Sequence, residues 1–258
     1  MTAFSRVNLG DVWAVWLRHF EVYRRLWKME MAAPLIEPVF MIFAFGWGIG
    51  ALIASEVAGV PYLTFAGAGV LGFAVISRAM FETAYGSYFR MVYQATFDAI
   101  LATPVEPESL ALAELLWATT KALIDALIIL AILTAFGAAR SPLAALTPLP
   151  LLAGSFQIAA LTLTFTAHVH DIDTYNLYNA LFFSVVFICG VWFPLDVLPR
   201  PLQVAAWIIP LTSAVDLTRG LLEGRLALRH LWELLYLCAA GLACAEWSMR
   251  ALRRRMVV

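Results

Sequence analysis

Apolar residues fall along this chain in long blocks separated by short polar breaks. The blocks at 32–54, 62–87, 109–136, 143–167, 174–193 and 231–249 match the roughly 20 residues a helix needs to cross a hydrocarbon core. They predict membrane-crossing helices. Inside the first, Gly46 and Gly50, with Gly48 between them, have the small-residue spacing that lets a neighbouring helix approach closely. Ahead of it, Trp13, Trp16, Leu17, Phe20, Tyr23 and Trp27 share one helical face, and Arg18, Glu21, Arg25 and Lys28 fall largely away from it. That pattern predicts an amphipathic arm, residues 1–30, lying in the headgroup layer, where tryptophan is favoured.

Two stretches break the block pattern. Over 89–102, Phe89, Val92, Tyr93, Thr96, Phe97, Ile100 and Leu101 recur at three- and four-residue steps, while Arg90, Gln94 and Asp98 run down another side. The spacing predicts a short two-faced helix outside the membrane. It ends at Thr103-Pro104, because a residue before proline is pushed out of helical geometry; Thr103 and Glu106 have capping-box spacing for the next helix. Over 195–229, the apolar run 202–209 stops at Pro210, and 211–222 is interrupted by Asp216 and Arg219. Neither piece can cross alone, and the region predicts a re-entrant helix pair.

Positive charge sets the orientation. Arg6, Arg18, Arg24, Arg25 and Lys28 precede the first block, and Arg250, Arg253, Arg254 and Arg255 close the chain. Both ends therefore belong in the cytosol, which requires an even number of crossings, and six satisfies it. The helix at 89–102 and the loop HVHDID then lie inside, and the broken pair faces out. Arg200, Arg219, Arg225 and Arg229 fall on the outer side, against the charge rule; re-entrant placement softens that conflict.

Composition agrees with a polytopic membrane protein: 62% of the 258 residues are hydrophobic and 14% charged, far more apolar surface than one water-soluble core uses. A formal net charge of -1 with its basic residues at the two ends suits lipid headgroups and gives no support to nucleic-acid binding. Cys189, Cys238 and Cys244 sit in apolar runs with neither pairing nor metal-ligand spacing. The charged first thirty residues lack the pattern of a removable signal.

Charges inside the blocks carry the candidate chemistry. Arg78 and Glu82 are four apart, as are Lys121 and Asp125, so each pair can neutralise itself on one helix face. The functional alternative is that Glu37, Glu82, Glu114 and Lys121 line a polar route for an amphipathic or sugar-bearing molecule. His168, His170, Asp171 and Asp173 are the best case for a metal site or an enzyme. Residues two apart on a helix diverge, so the cluster reads as a solvated turn, and no catalytic or metal-ligating residue is assigned. No G-x-x-x-x-G-K-[ST] is present: Lys28 and Lys121 follow Trp27 and Thr120, so the chain has no phosphate loop of its own. A transport subunit, a membrane-embedded transferase or hydrolase, and a passive channel remain as function classes.

The segments PYLTFAGAGV, MFETAYGSYFRMVYQATFDAILATPV, LAELLWATTKALID and CGVWFPLDVLPRPLQVAAWIIPLTSAVDLTRGLLEG resemble the type-2 permeases of ABC exporters, and within them the nodulation protein J group. The resemblance covers nearly the whole chain and is most specific in the FETAYG, WATTKA and FPLDVLP-to-LTRGLL segments. It implies an all-α, six-span permease domain, 1–258, of a bacterial inner-membrane exporter. Its N-terminal helix is interfacial, its helix at 89–102 couples to an ATPase, and a re-entrant pair precedes span six. It further implies pairing with a second permease copy and two separate ATPase subunits that hold ATP and Mg. Phe89, Arg90, Tyr93, Gln94, Phe97, Asp98 and Ile100 are the coupling candidates. The cargo implied is a lipo-oligosaccharide, a glycolipid or another amphipathic molecule.

Overall fold

A computed structural model describes residues 2–52, 56, 57 and 59–257. Positions 53 and 54, the end of the first apolar block, lie outside the described residues. The described chain is helical, with no strand among the described residues apart from one isolated bridge between Val57 and Val60.

Helix α1 (Leu9–Glu30) starts at Asn8, whose side chain accepts a hydrogen bond from the Gly10 N–H and so satisfies one of the free donors of the first turn. Val12, Val15 and His19 are buried on one edge, while the predicted stripe leaves Trp13 and Trp27 exposed. Helix α2 (Ala32–Phe43) contains Pro38 and widens into a π turn, Ala44–Ile49. Helix α3 (Tyr62–Phe81) runs on through π turns at Glu82–Gly86 and Phe89–Tyr93. It stops at Ala95, whose φ of 48° is left-handed. Helix α4 (Thr96–Leu101) follows. Then come α5 (Pro107–Ala135), α6 (Pro148–His168), α7 (Thr174–Val186), α8 (Arg200–Ile208), α9 (Pro210–Glu223) and α10 (Leu228–Met256).

Three stretches are long and apolar enough to cross a membrane by length and composition: Tyr62–Tyr93, Pro107–Ala135 and Pro142–His168. The other blocks fall short for local reasons. Pro38 and a run of glycines interrupt the first, α7 unwinds before Gly190 at φ 70°, and α10 carries charge at both ends, leaving only residues 234–245 free of it. The region expected to be re-entrant forms two short helices, α8 and α9, that meet at Ile209-Pro210.

Helix α6 is the hub: it packs against α10, α5, α3 and α9, and α3 packs in turn against α5, α6 and α9. Small residues make the closest approaches possible. A Cβ added to Gly69 on α3 would meet the Val191 carbonyl oxygen at 2.0 Å, so α3 touches the unwound end of α7 backbone to backbone. Gly69→Ala is therefore expected to destabilise the fold by roughly 1–3 kcal/mol, the usual range for overpacking, read as a lowered unfolding midpoint in detergent.

Contacts sort the termini of the helices to two ends. Ala3 N–H donates to Glu246, Arg253 pairs with Glu108 at 2.7 Å, and Asn8 N–H donates to the Ser109 hydroxyl. Tyr88 and Arg255 reach the carbonyls of His170 and Val169. The arm, the far end of α3, the start of α5, the 168–173 loop and the end of α10 thus share one end. At the other, Arg140 N–H meets the Leu222 carbonyl and Arg219 meets the Gly190 carbonyl.

Candidate functional site

The charged residues of α3 and α5, together with the arm, converge into one buried network. Arg90 sits between two carboxylates, with Nη1 at 2.9 Å from Glu82 and Nη2 at 2.6 Å from Glu114. Lys121 Nζ lies 2.9 Å from Glu82 and 3.0 Å from Glu30, with the rings of Tyr23 and Trp117 5.7 and 5.6 Å away. Arg78 reaches Glu30 at 2.5 Å and Asp125 at 3.5 Å. Glu114, with 0% of its side chain exposed, also accepts from the Ser87 hydroxyl and faces His19 Nε2 at 2.9 Å. Burial of this depth is tolerable because every carboxylate has a cation within reach.

The expected partners were different. Arg78 with Glu82 and Lys121 with Asp125 are neighbours in sequence, yet neither pair forms. The π turn that begins at Glu82 aims its carboxylate across at Lys121 and Arg90, and Asp125 faces Arg78 on α3 instead. Carboxylates Glu30, Glu82, Glu114 and Asp125 stand against cations Arg78, Arg90 and Lys121, and His19 faces Glu114 from the arm. Both residues the arm contributes, His19 and Glu30, were invisible in the pattern, because one falls on the apolar edge of α1 and the other at its end. On Glu30, burial acts upward, but Lys121 and Arg78 outweigh it and hold the carboxyl below its usual range.

These groups border a cavity of about 250 Å³ between the arm and the core, lined by Arg18, Tyr23, Glu30, Glu82, Arg90 and Lys121 among others. Glu37 does not join them. It is exposed on α2 and opens onto a second cavity of about 220 Å³ with Ser77, Arg78 and Asp125. Of the polar residues expected along one route, Glu82 and Lys121 therefore border the first cavity and Glu37 the second.

The stretch expected as one two-faced helix is two pieces hinged at Ala95. Phe89 and Tyr93 are exposed, at 42% and 60%, and Gln94 and Asp98 lie on the surface with them. Phe97 is wholly buried in the core and Ile100 half-buried, because the turn swings α4 back onto the bundle. Holding a residue with a Cβ in the left-handed region is unfavourable by about 1 kcal/mol, which marks a strained joint next to the network. On the neighbouring loop, His168 Nδ1 is bonded to the Thr164 carbonyl on its own helix and the His170 backbone carbonyl accepts from Tyr88; among the described residues no three ligand atoms of this loop come together.

Comparison with known proteins gives the family. The family model for ABC-2 type transporters matches residues 10–222. The chain is similar to nodulation protein J of Rhizobium leguminosarum bv. trifolii, 30% identical over 246 residues, covering 95% of this chain and 93% of that one. It is similar also to nodulation protein J of Sinorhizobium fredii, 31% identical over 208 residues, covering 80% and 79%. For nodulation protein J of Bradyrhizobium diazoefficiens the identity is 29% over 247 residues, covering 95% and 93%. With its buried charge network, its long apolar helices and a match over most of its length, the chain belongs to the ABC-2 type transporter family, as a membrane-embedded transport subunit.

Proposed function

We propose that this chain is the permease half of an ABC exporter of the bacterial inner membrane. It crosses six times with both termini in the cytosol, pairs with a second copy, and is driven by two separate ATPase subunits that hold ATP and Mg. The cargo is an amphipathic molecule, a lipo-oligosaccharide or glycolipid. The observation that carries this reading is the exposed patch of Phe89, Val92 and Tyr93. It sits at the end of the molecule where both arginine-rich termini gather and one residue away from Arg90, the centre of the buried network.

The chemistry of the steps is mechanical. Phe89 and Tyr93, with rings 5.0 Å apart, supply apolar anchors at turn spacing for a groove on the ATPase, and Gln94 and Asp98 supply a polar edge. Force on this patch bends the joint at Ala95. Because Phe97 is buried in the permease, it fixes α4 to the core and serves as the fulcrum and not as a groove contact. Movement of the patch shifts Arg90, which pulls on Glu82 and Glu114, and through Lys121, Glu30 and His19 on the arm. A network with two arrangements of similar energy converts that pull into reorientation of the spans.

Tyr93→Asp is expected to reduce co-purification of the ATPase strongly while leaving the permease folded, because Tyr93 is 60% exposed. A buried aromatic anchor at an interface is worth about 2 kcal/mol or more, close to thirty-fold in affinity. Wild-type recovery of the ATPase would remove the coupling role. A cysteine placed beside Asp98 should label only from the cytosolic side; labelling from outside intact cells would reverse the topology.

A further inference from the structure

At the end of the bundle opposite the coupling patch, α9 and α10 meet around Asp216, His230 and Glu233, whose ligand atoms all lie within 4.8 Å of one another. His230 and Glu233 are more than nine-tenths buried. Asp216 Oδ2, His230 Nε2 and Glu233 Oε2 are buried without an aligned hydrogen bond. The space is built for them: a Cβ on Gly220 of α9 would strike His230 Cε1 at 2.8 Å, so glycine there admits the imidazole. The Asp216 and Glu233 carboxylates lie within 4.8 Å of each other, and the one nearby arginine reaches only Asp216, so two negative charges here need a second cation or a proton.

The histidine decides between the two. The Ala227 N–H donates to His230 Nδ1 at 2.9 Å, so the proton of the neutral ring is on Nε2. Nε2 points at Asp216 Oδ2, 3.5 Å away, and has no lone pair to offer a metal. Arg229, with Nη2 3.0 Å from Asp216 Oδ2, adds a positive charge where a metal would sit. The other charged groups near the cluster are Arg219 and Glu223 on α9, Arg225 in the connecting turn and Asp196 ahead of α8, all lining the same cavity of about 370 Å³. Packed against α10, α6 carries no titratable side chain before His168.

We propose that this cluster is a proton site, in which Glu233 is held as the neutral acid and its O–H donates to Asp216. Asp216 then keeps the single negative charge, balanced by Arg229 from the solvent side, and both orphaned oxygens are satisfied. The bonded pair ties α9 to α10 under this cavity without placing a second anion there. The assignment is independent of the ATPase-driven reading above.

Glu233→Gln reproduces the neutral acid in shape and, through its amide N–H, in donor capacity, whereas Glu233→Ala removes the link. The glutamine variant of the full chain is expected to keep the wild-type unfolding midpoint, and the alanine variant to lose about 2–4 °C or more. Infrared difference spectra of wild type against Glu233→Gln at neutral pH are expected to show the carbonyl stretch of a protonated carboxylic acid, shifted on exchange into D2O. Absence of that band overturns the proposal, as does a glutamine variant as unstable as the alanine one. A rise in the wild-type midpoint on adding zinc, lost in His230→Ala, would overturn it in favour of a metal centre.

Discussion

Arg90→Ala is expected to destabilise the chain by roughly 3–5 kcal/mol, the range for stripping one partner from a buried ion pair. The guanidinium lies between Glu82 and Glu114, whose side chains are 8% and 0% exposed. Without it, two carboxylates stay in the interior with fewer partners: Lys121 for Glu82, Ser87 and His19 for Glu114. Lysine at this position is expected to recover only part of the loss, because a compact ammonium cannot span both carboxylates as a planar fork does. Combining Arg90→Ala with Glu114→Gln should return a share of the stability by removing one stranded charge, a coupling that a double-mutant cycle measures directly. Denaturation followed in detergent tests it. A loss below about 1 kcal/mol would place the pair among ordinary surface ion pairs and take Arg90 out of the centre of the network.

The second large effect is expected from Lys121→Met. Methionine fills similar space beside Trp117 and Tyr23 but leaves Glu30 and Glu82 facing each other with one fewer cation between them. Glu30 is the tie that the arm contributes at its far end, and Arg78 alone then holds it. The arm is expected to detach there, seen as faster proteolysis around Glu30, and export to fall by more than tenfold at normal abundance of the protein. Adding Glu82→Gln should restore docking of the arm by removing the repulsion, which separates loss of the arm from loss of a charge needed in the route itself. Unchanged export by Lys121→Met at wild-type abundance would show that the network is scaffolding alone. Restored docking without restored export would show instead that Lys121 acts on the cargo.

Much of the molecule was legible beforehand because hydrophobic blocks and their flanking charges answer to the bilayer, a solvent that acts on every residue independently of its partners. The all-helical class, the helical arm with its tryptophan stripe and the break at Pro210 follow from local pattern, whereas the stretch after α3, expected as one two-faced helix, is two pieces joined at Ala95. Resemblance in the FETAYG and WATTKA segments added the family, which the match over residues 10–222 shows.

Partner choice among the charges was not legible. Spacing of four residues proposed Arg78 with Glu82 and Lys121 with Asp125, since neighbours on one helix are the only neighbours a sequence displays. The folded chain brings α1, α3 and α5 together, and contacts across helices are shorter than those along them. For the same reason Arg90 and Phe97, both named as coupling candidates, turn inward: the left-handed turn at Ala95 cannot be foreseen from an alanine. Asp216, His230 and Glu233 lie on two helices and become a cluster only when α9 folds back on α10. Sequence by itself settled which segments prefer lipid, because transfer from water is a property of each residue. Tertiary structure alone decided which charges meet, because a buried ion is stabilised only by groups that packing brings to within a few ångströms.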